Sequence, residues 1–310
     1  MYNQLKNKEI ETIQRNRHKN VQFSFQRSIF HLLVAIIGMV AFIACNKDND
    51  DNGGGKLKML ESIYQDGKLS SEYEYDEQNR ITKITSYLYN FDETLNNTII
   101  TKYSYNNVGD LTSILLEYPS HPQDNEATMY EKNGDKITWK KGNADYTVNL
   151  NSNGFPEKQI IEYIKVEFNQ STMSTYSYFV RETFTYQYTN DNVSKIDHVY
   201  ATGSTSENVS TNYTSTQTYT HDNKKSPFYH CKTPKWIIAL GGESTQNNIL
   251  TEIHHHYDYD YGLFTTIYTY DSEGFPNKGT TTFIWEMYGH HEGEYVVEHK
   301  YKKYRIGDTN

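Results

Sequence analysis

The chain has 310 residues, a net charge of -9, and 29 Tyr, 13 Phe and 3 Trp, so aromatics reach 15% in a strongly polar sequence. Disordered chains are poor in aromatics, whereas Tyr and Thr fit a pleated, half-buried surface, so the composition predicts a folded β protein with a thin apolar core. The acid excess excludes a nucleic-acid binder, which needs a basic face.

Residues 1–28 are polar and basic, and Ile29–Ala44 is a nearly continuous apolar run ending Phe42-Ile43-Ala44-Cys45. A basic region, a short apolar core and a small residue before the cut are the parts of a secretory signal. The four-residue tail resembles a bacterial lipobox, which implies cleavage before Cys45 and lipidation of that cysteine. The competing reading is an uncleaved anchor, but a run of 16 residues containing His31 is short of the roughly 20 needed to span a bilayer. The signal region is net +4 (Lys6, Lys8, Arg15, Arg17, Lys19 and Arg27 against Glu9 and Glu11), which leaves -13 on residues 45–310. With Cys45 lipidated, Cys231 has no disulfide partner, and one cysteine cannot build a Cys-based zinc site.

Residues 45–55 are charged and then Gly-rich, with nothing to bury, and read as a flexible tether. The acids that follow Cys45 resemble the signal that sends lipoproteins of Bacteroidetes-type bacteria to the outer surface. The domains expected are thus a signal peptide over 1–44, a tether over 45–55 and a single β domain over 56–310.

From Lys56 onward one phrase recurs: an alternating segment ending Tyr-x-Tyr, an Asx/Gly turn, and a second alternating segment. Its clearest copies are 71–89, 101–118, 183–200 and 265–283, with weaker ones at 128–141 and 146–163. Tyr73 and Tyr75 fall on one side of a strand and Glu72 and Glu74 on the other. Asp, Asn and Gly supply the turn, so each phrase predicts a hairpin of adjacent antiparallel strands. Tyr75, Tyr105, Tyr188 and Tyr270 are expected in the core of the sheet, each hydroxyl reaching water at the rim. No long stretch has a helical period, and the uneven spacing of copies predicts a meander and not a regular solenoid. The fold class is mainly β: one large antiparallel meander, strongly curved or rolled into a barrel-like sheet, with closure left open and very little helix outside the signal segment.

The phrase resembles the YD-repeat (RHS-like) pattern. Three ordered stretches, His221-Asp-Asn-Lys-Lys-Ser-Pro-Phe228, Asn247-Asn-Ile-Leu250 and Tyr268-Thr-Tyr-Asp-Ser-Glu-Gly-Phe-Pro276, resemble a domain-of-unknown-function family of Bacteroides-type lipoproteins that is described as porin-like in fold. That resemblance covers about residues 56–285 and implies a curved or closed antiparallel sheet. The chain departs from the phrase at Tyr219-Thr-His221, where Tyr-x-Tyr is usual. A lipid-spanning pore is not expected, because segments such as 211–222 would face lipid with Thr, Ser and Gln.

No catalytic constellation stands out: there is no nucleophile elbow, no phosphate loop and no dinucleotide fingerprint. His254 and His256 share a strand face about 7 Å apart and would need a third ligand, such as Asp258 or His291, to hold a metal; the solvated-face reading is preferred, and no metal or cofactor is assigned. Cys231, beside His230, is read as a structural thiol. The sequence therefore points to a lipid-anchored outer-membrane lipoprotein facing the cell exterior. It would act as a non-enzymatic binding or structural module, its partners the membrane through the lipid and a glycan or protein ligand outside the cell. The alternative is a surface or periplasmic glycan-acting hydrolase whose carboxylate pair the sequence does not locate.

Overall fold

The computed structural model describes residues 56–90, 93–169, 173–240, 246–256, 259–286 and 290–305. The strands in chain order are β1 (Lys56–Gln65), β2 (Lys68–Tyr75), β3 (Ile81–Tyr89), β4 (Leu95–Tyr105), β5 (Leu111–Glu117), β6 (Glu126–Asn133), β7 (Lys136–Lys141), β8 (Ala144–Leu150), β9 (Pro156–Asn169), β10 (Ser174–Thr189), β11 (Asn192–Gly203), β12 (Val209–His221), β13 (Ile249–His256), β14 (Tyr259–Tyr270), β15 (Pro276–Trp285) and β16 (His291–Arg305). Each strand pairs antiparallel with its sequence neighbours, and β1 pairs with β16, so the meander closes into a sixteen-strand barrel. Closure, left open by the sequence, removes the two unpaired edges that a long meander would expose.

Every repeated phrase is a hairpin. Four of the turns share one construction. The side chains of Asp76, Asn106, Asn151 and Asp271 each accept hydrogen bonds from the backbone N–H groups two and four residues on. The third residue after each, Asn79, Gly109, Gly154 or Gly274, has positive φ, which is why Gly or Asn stands there. The 183–200 phrase turns more tightly through Asn190 and Asp191, both at positive φ.

The fifth site of this kind is opened by an insertion. Asp222 accepts from Lys224 N two residues on, but the second donor is the backbone N–H of Asn248, 26 residues away. Residues 223–247 are thus spliced into the turn that the phrase departing at Tyr219-Thr-His221 would otherwise make. They include the six-residue helix α1 (Lys235–Leu240), with Trp236, Ile237, Ile238 and Ala239 buried. A helix of under two turns carries too little periodicity to be read from sequence.

The insertion reaches strands all round the ring. Phe228 meets Tyr73 of β2 edge-on at 5.4 Å. Trp236 packs on Tyr130 of β6 and Trp139 of β7 at 5.7 and 6.3 Å. Ala239 joins Tyr186 of β10, Val193 and Ile196 of β11 and Tyr219 of β12 in one buried cluster. Lys232 N donates to Asn79 O, and Ile81 N donates to Thr233 Oγ1. A segment touching strands on opposite sides of a closed ring can lie only across its opening. The described part of this insertion, residues 223–240, therefore plugs one end of the barrel, the end at which β1 begins and β16 finishes.

The plug corrects one expectation. The repeat tyrosines do not send their hydroxyls to water at the rim. Tyr105 donates to Ile81 O at 2.7 Å, Tyr188 to Pro156 O at 2.8 Å, and Tyr270 to the Asp222 carboxylate. Burial raises the pKa of all three, so they stay neutral donors.

Candidate functional site

The plug contacts fix which side of each strand faces inward. Tyr186, Ile196 and Tyr219 point at the plug, so by alternation Glu182 and Phe184 of β10, His198 and Tyr200 of β11, and Tyr213, Ser215 and Gln217 of β12 are lumenal. The register carries this across to Glu252, His254 and His256 of β13 and to Phe264 and Trp285 of β14 and β15. Above the plug, the wall from β9 to β15 is therefore aromatic and hydrogen-bonding.

Two stacks order this wall. Tyr200 and Tyr213 lie face to face at 4.9 Å and 10°. Phe184 and His198 lie face to face at 4.3 Å and 3°. His198 Nε2 is 3.1 Å from Glu182 Oε2, Tyr163 donates to Glu182 Oε1 at 3.1 Å, and Ser215 Oγ is 3.4 Å from His198 Nδ1. The bond to His198 is the main reason the Glu182 pKa falls below its ordinary value, against the opposing effect of burial. The same environment raises Tyr163, chiefly by burial and then by the Glu182 charge. Glu182 is therefore an anion with one side-chain hydrogen bond at each oxygen. Farther toward the distal mouth, Tyr176, Tyr178 and Lys165 all bond Glu167, with Lys165 the strongest influence, and its pKa falls to about 2.

His254 and His256 do share a face, the lumenal one, while His255 points outward to Thr218. His254 bonds Glu252 at 2.6 Å through Nε2 and lies 3.3 Å from Gln217 through Nδ1, with Tyr261, Phe264 and Trp285 edge-on around it. Among the described residues no group of three His, Cys, Asp or Glu is placed to hold a metal, and Asp258 lies outside them. His290 is ion-paired with Glu286 and Glu292, and its pKa is raised chiefly by Glu286. Cys231 is buried within the plug and its thiol donates to Thr233, while His230 packs on Tyr229 and Phe275, in keeping with a structural thiol. Residues 1–44, Cys45 and the tether over 45–55 lie outside the described residues.

Four carboxyls among the described residues have clearly shifted pKa values, and all four move downward: Glu167, Glu182, Asp271 and Glu273. A glycosidic general acid needs the opposite shift, so the carboxylate-pair reading gains no candidate. The outer wall carries cross-strand ion pairs, Glu74–Lys83, Lys102–Glu117, Lys140–Asp145 and Glu162–Arg181. The same wall also exposes apolar side chains, among them Val166, Phe168, Ile267 and Ile284.

No family model matches the chain, and no curated protein matches it. Among solved structures, the chain is similar to a porin-like protein from Bacteroides uniformis, at 14% identity over 78% of this chain and 96% of that one, with a TM-score of 0.32. It is also similar to a porin-like protein from Bacteroides vulgatus, at 13% identity over 72% of this chain and 99% of that one, with a TM-score of 0.35. The YD-repeat and lipoprotein-family resemblances thus rest on the motifs quoted above.

The sequence marks out His254 and His256 but gives no local signal for Tyr200, Tyr213, His198 and Ser215. These meet only across strands, and their juxtaposition depends on a register that a bulge between Tyr200 and Ala201 shifts by one residue. The alternation Asp197-His198-Val199-Tyr200 was a usable signal once the inward face was known.

Proposed function

We propose that the chain is a lipid-anchored envelope protein that binds a glycan in the lumen of its barrel. The observation that carries this is the lumenal wall itself: stacked Tyr200 and Tyr213 offer flat apolar faces beside the polar Glu182, His198 and Gln217. Sugars combine apolar ring faces with a rim of hydroxyls, so aromatic platforms flanked by hydrogen-bonding groups suit them at little entropic cost. The plug supports the same reading, since it floors the chamber at one end. The strand that follows the tether, β1, starts at that plugged end, so in this reading an anchor at Cys45 tethers the barrel from its floored end.

Two measurements test the two halves. Cys45→Ala should abolish incorporation of a fatty-acid analogue; undiminished incorporation rules out the anchor. The purified protein on a glycan array should retain one class of glycan, and loss of all retention in a folded sample would remove the binding reading.

A further inference from the structure

Ser215 lies on the lumenal face of β12, one row from the residues that meet the plug. It sits on β12, directly across from His198 of β11 on one side and His256 of β13 on the other. The next lumenal residue below His198 is Ile196, which packs against Ala239 of the plug, so the row lies just above the floor. Glu182 and His198 keep part of their surface open to the lumen, at 23% and 16% of the side chain.

The hydrogen bonds fix the chemistry of the row. A carboxylate only accepts, so His198 Nε2 must carry the proton it shares with Glu182. In the neutral ring Nδ1 is then the lone-pair nitrogen, and it faces the Ser215 hydroxyl at 3.4 Å. Stacking on Phe184, with Tyr213 edge-on at 5.7 Å, holds the imidazole in this orientation. Tyr163 braces Glu182 from the other side. An acid that orients a histidine, which accepts from a serine, is the arrangement that activates serine oxygen in unrelated folds, here with the two ring nitrogens exchanged. Such bonds are commonly long before substrate binds.

We propose that Ser215, His198 and Glu182 form an acyl-transfer site that cleaves carboxylic esters entering the lumen. Ser215 Oγ attacks the ester carbonyl carbon while its proton passes to His198 Nδ1. The tetrahedral oxyanion forms in the row that Ser215 shares with His256 of β13. Collapse breaks the ester C–O bond, and the departing alkoxide takes the proton from His198, leaving an acyl group on Ser215. Water then attacks that acyl carbon, giving its proton to His198. The carboxylic acid leaves as Ser215 Oγ recovers the proton. Ser215 and His198 are the reacting residues, and Glu182 is a positioning residue.

The test is covalent labelling of the purified full-length protein with a fluorophosphonate probe, followed by mass spectrometry of the labelled peptide. The adduct is expected on Ser215. Ser215→Ala should remove it, and His198→Gln should slow labelling by about 100-fold or more, within the usual range for loss of a general base. Glu182→Gln should slow it while Glu182→Asp restores part of the rate, a recovery that a purely structural role would not produce. Circular dichroism confirms that each variant is folded. A folded wild-type protein with no adduct on Ser215, or labelling unchanged in His198→Gln, would overturn the assignment.

Discussion

Trp236→Ala is expected to lower the stability of the barrel by about 3–5 kcal/mol, the usual cost of deleting a buried aromatic side chain and leaving its cavity. Trp236 is only 6% exposed and is the plug's contact with Tyr130 and Trp139 on the β6–β7 side of the ring. Its loss unfastens the plug from that wall while the cluster around Ala239 still holds it to β10, β11 and β12. Urea unfolding should show the drop. Ile267→Ala, at a position on the outer wall that is 73% exposed, should change little by comparison. Equal effects from the two substitutions would mean that the plug contributes nothing to the fold's stability.

The second large effect is with pH. Burial lowers the pKa of His299 to about 4, and burial outweighs the neighbouring Asp222 charge to lower His221 to about 4 as well. The unfolded chain protonates both near the ordinary value of about 6.5, whereas the folded chain resists until about pH 4. Their contribution to stability is therefore complete above the unfolded value and is lost as pH falls from about 6.5 to about 4. Below that both states carry the proton and the loss levels off. Each histidine accounts for up to about 3 kcal/mol of this fall. Urea unfolding of wild type and His299→Asn at a series of pH values from 7.5 to 4 checks it: the variant should show the shallower slope over that window. Parallel slopes would contradict a buried neutral His299.

Much of the fold was legible because the signals were local. Tyr73-x-Tyr75, Tyr103-x-Tyr105 and Tyr268-x-Tyr270 announce strand faces, and Asp76, Asn106, Asn151 and Asp271 announce the turns through bonds within four residues. Closure was not legible, because pairing Leu60 with Tyr301 is a relation across nearly the whole chain. The plug was half legible. The departure at Tyr219-Thr-His221 marked the place, but nothing local says that Asn248 completes the turn begun by Asp222. The hydroxyls of Tyr105 and Tyr188 do not reach water for the same reason, since their acceptors, Ile81 O and Pro156 O, stand 24 and 32 residues away in sequence.

The candidate site was legible only in part. His254 and His256 were rightly placed on one face, because a strand alternates whatever its partners are. What they face could not be read, because inside and outside are defined only by the closed ring. Glu182, His198 and Ser215 stand on three separate strands and meet through two cross-strand registers.

The most direct test of a lumenal binding site compares one tyrosine from each side of the wall. Tyr213 stacks on Tyr200 inside the barrel, whereas Tyr87 bonds Glu72 on the outer surface. Titration calorimetry with a glycan retained by the wild-type protein should show Tyr213→Ala weakening binding by about 1 kcal/mol or more, as loss of a stacking face implies, with Tyr87→Ala unchanged. Binding lost with Tyr87 and kept without Tyr213 would place the ligand outside the barrel and contradict a lumenal site.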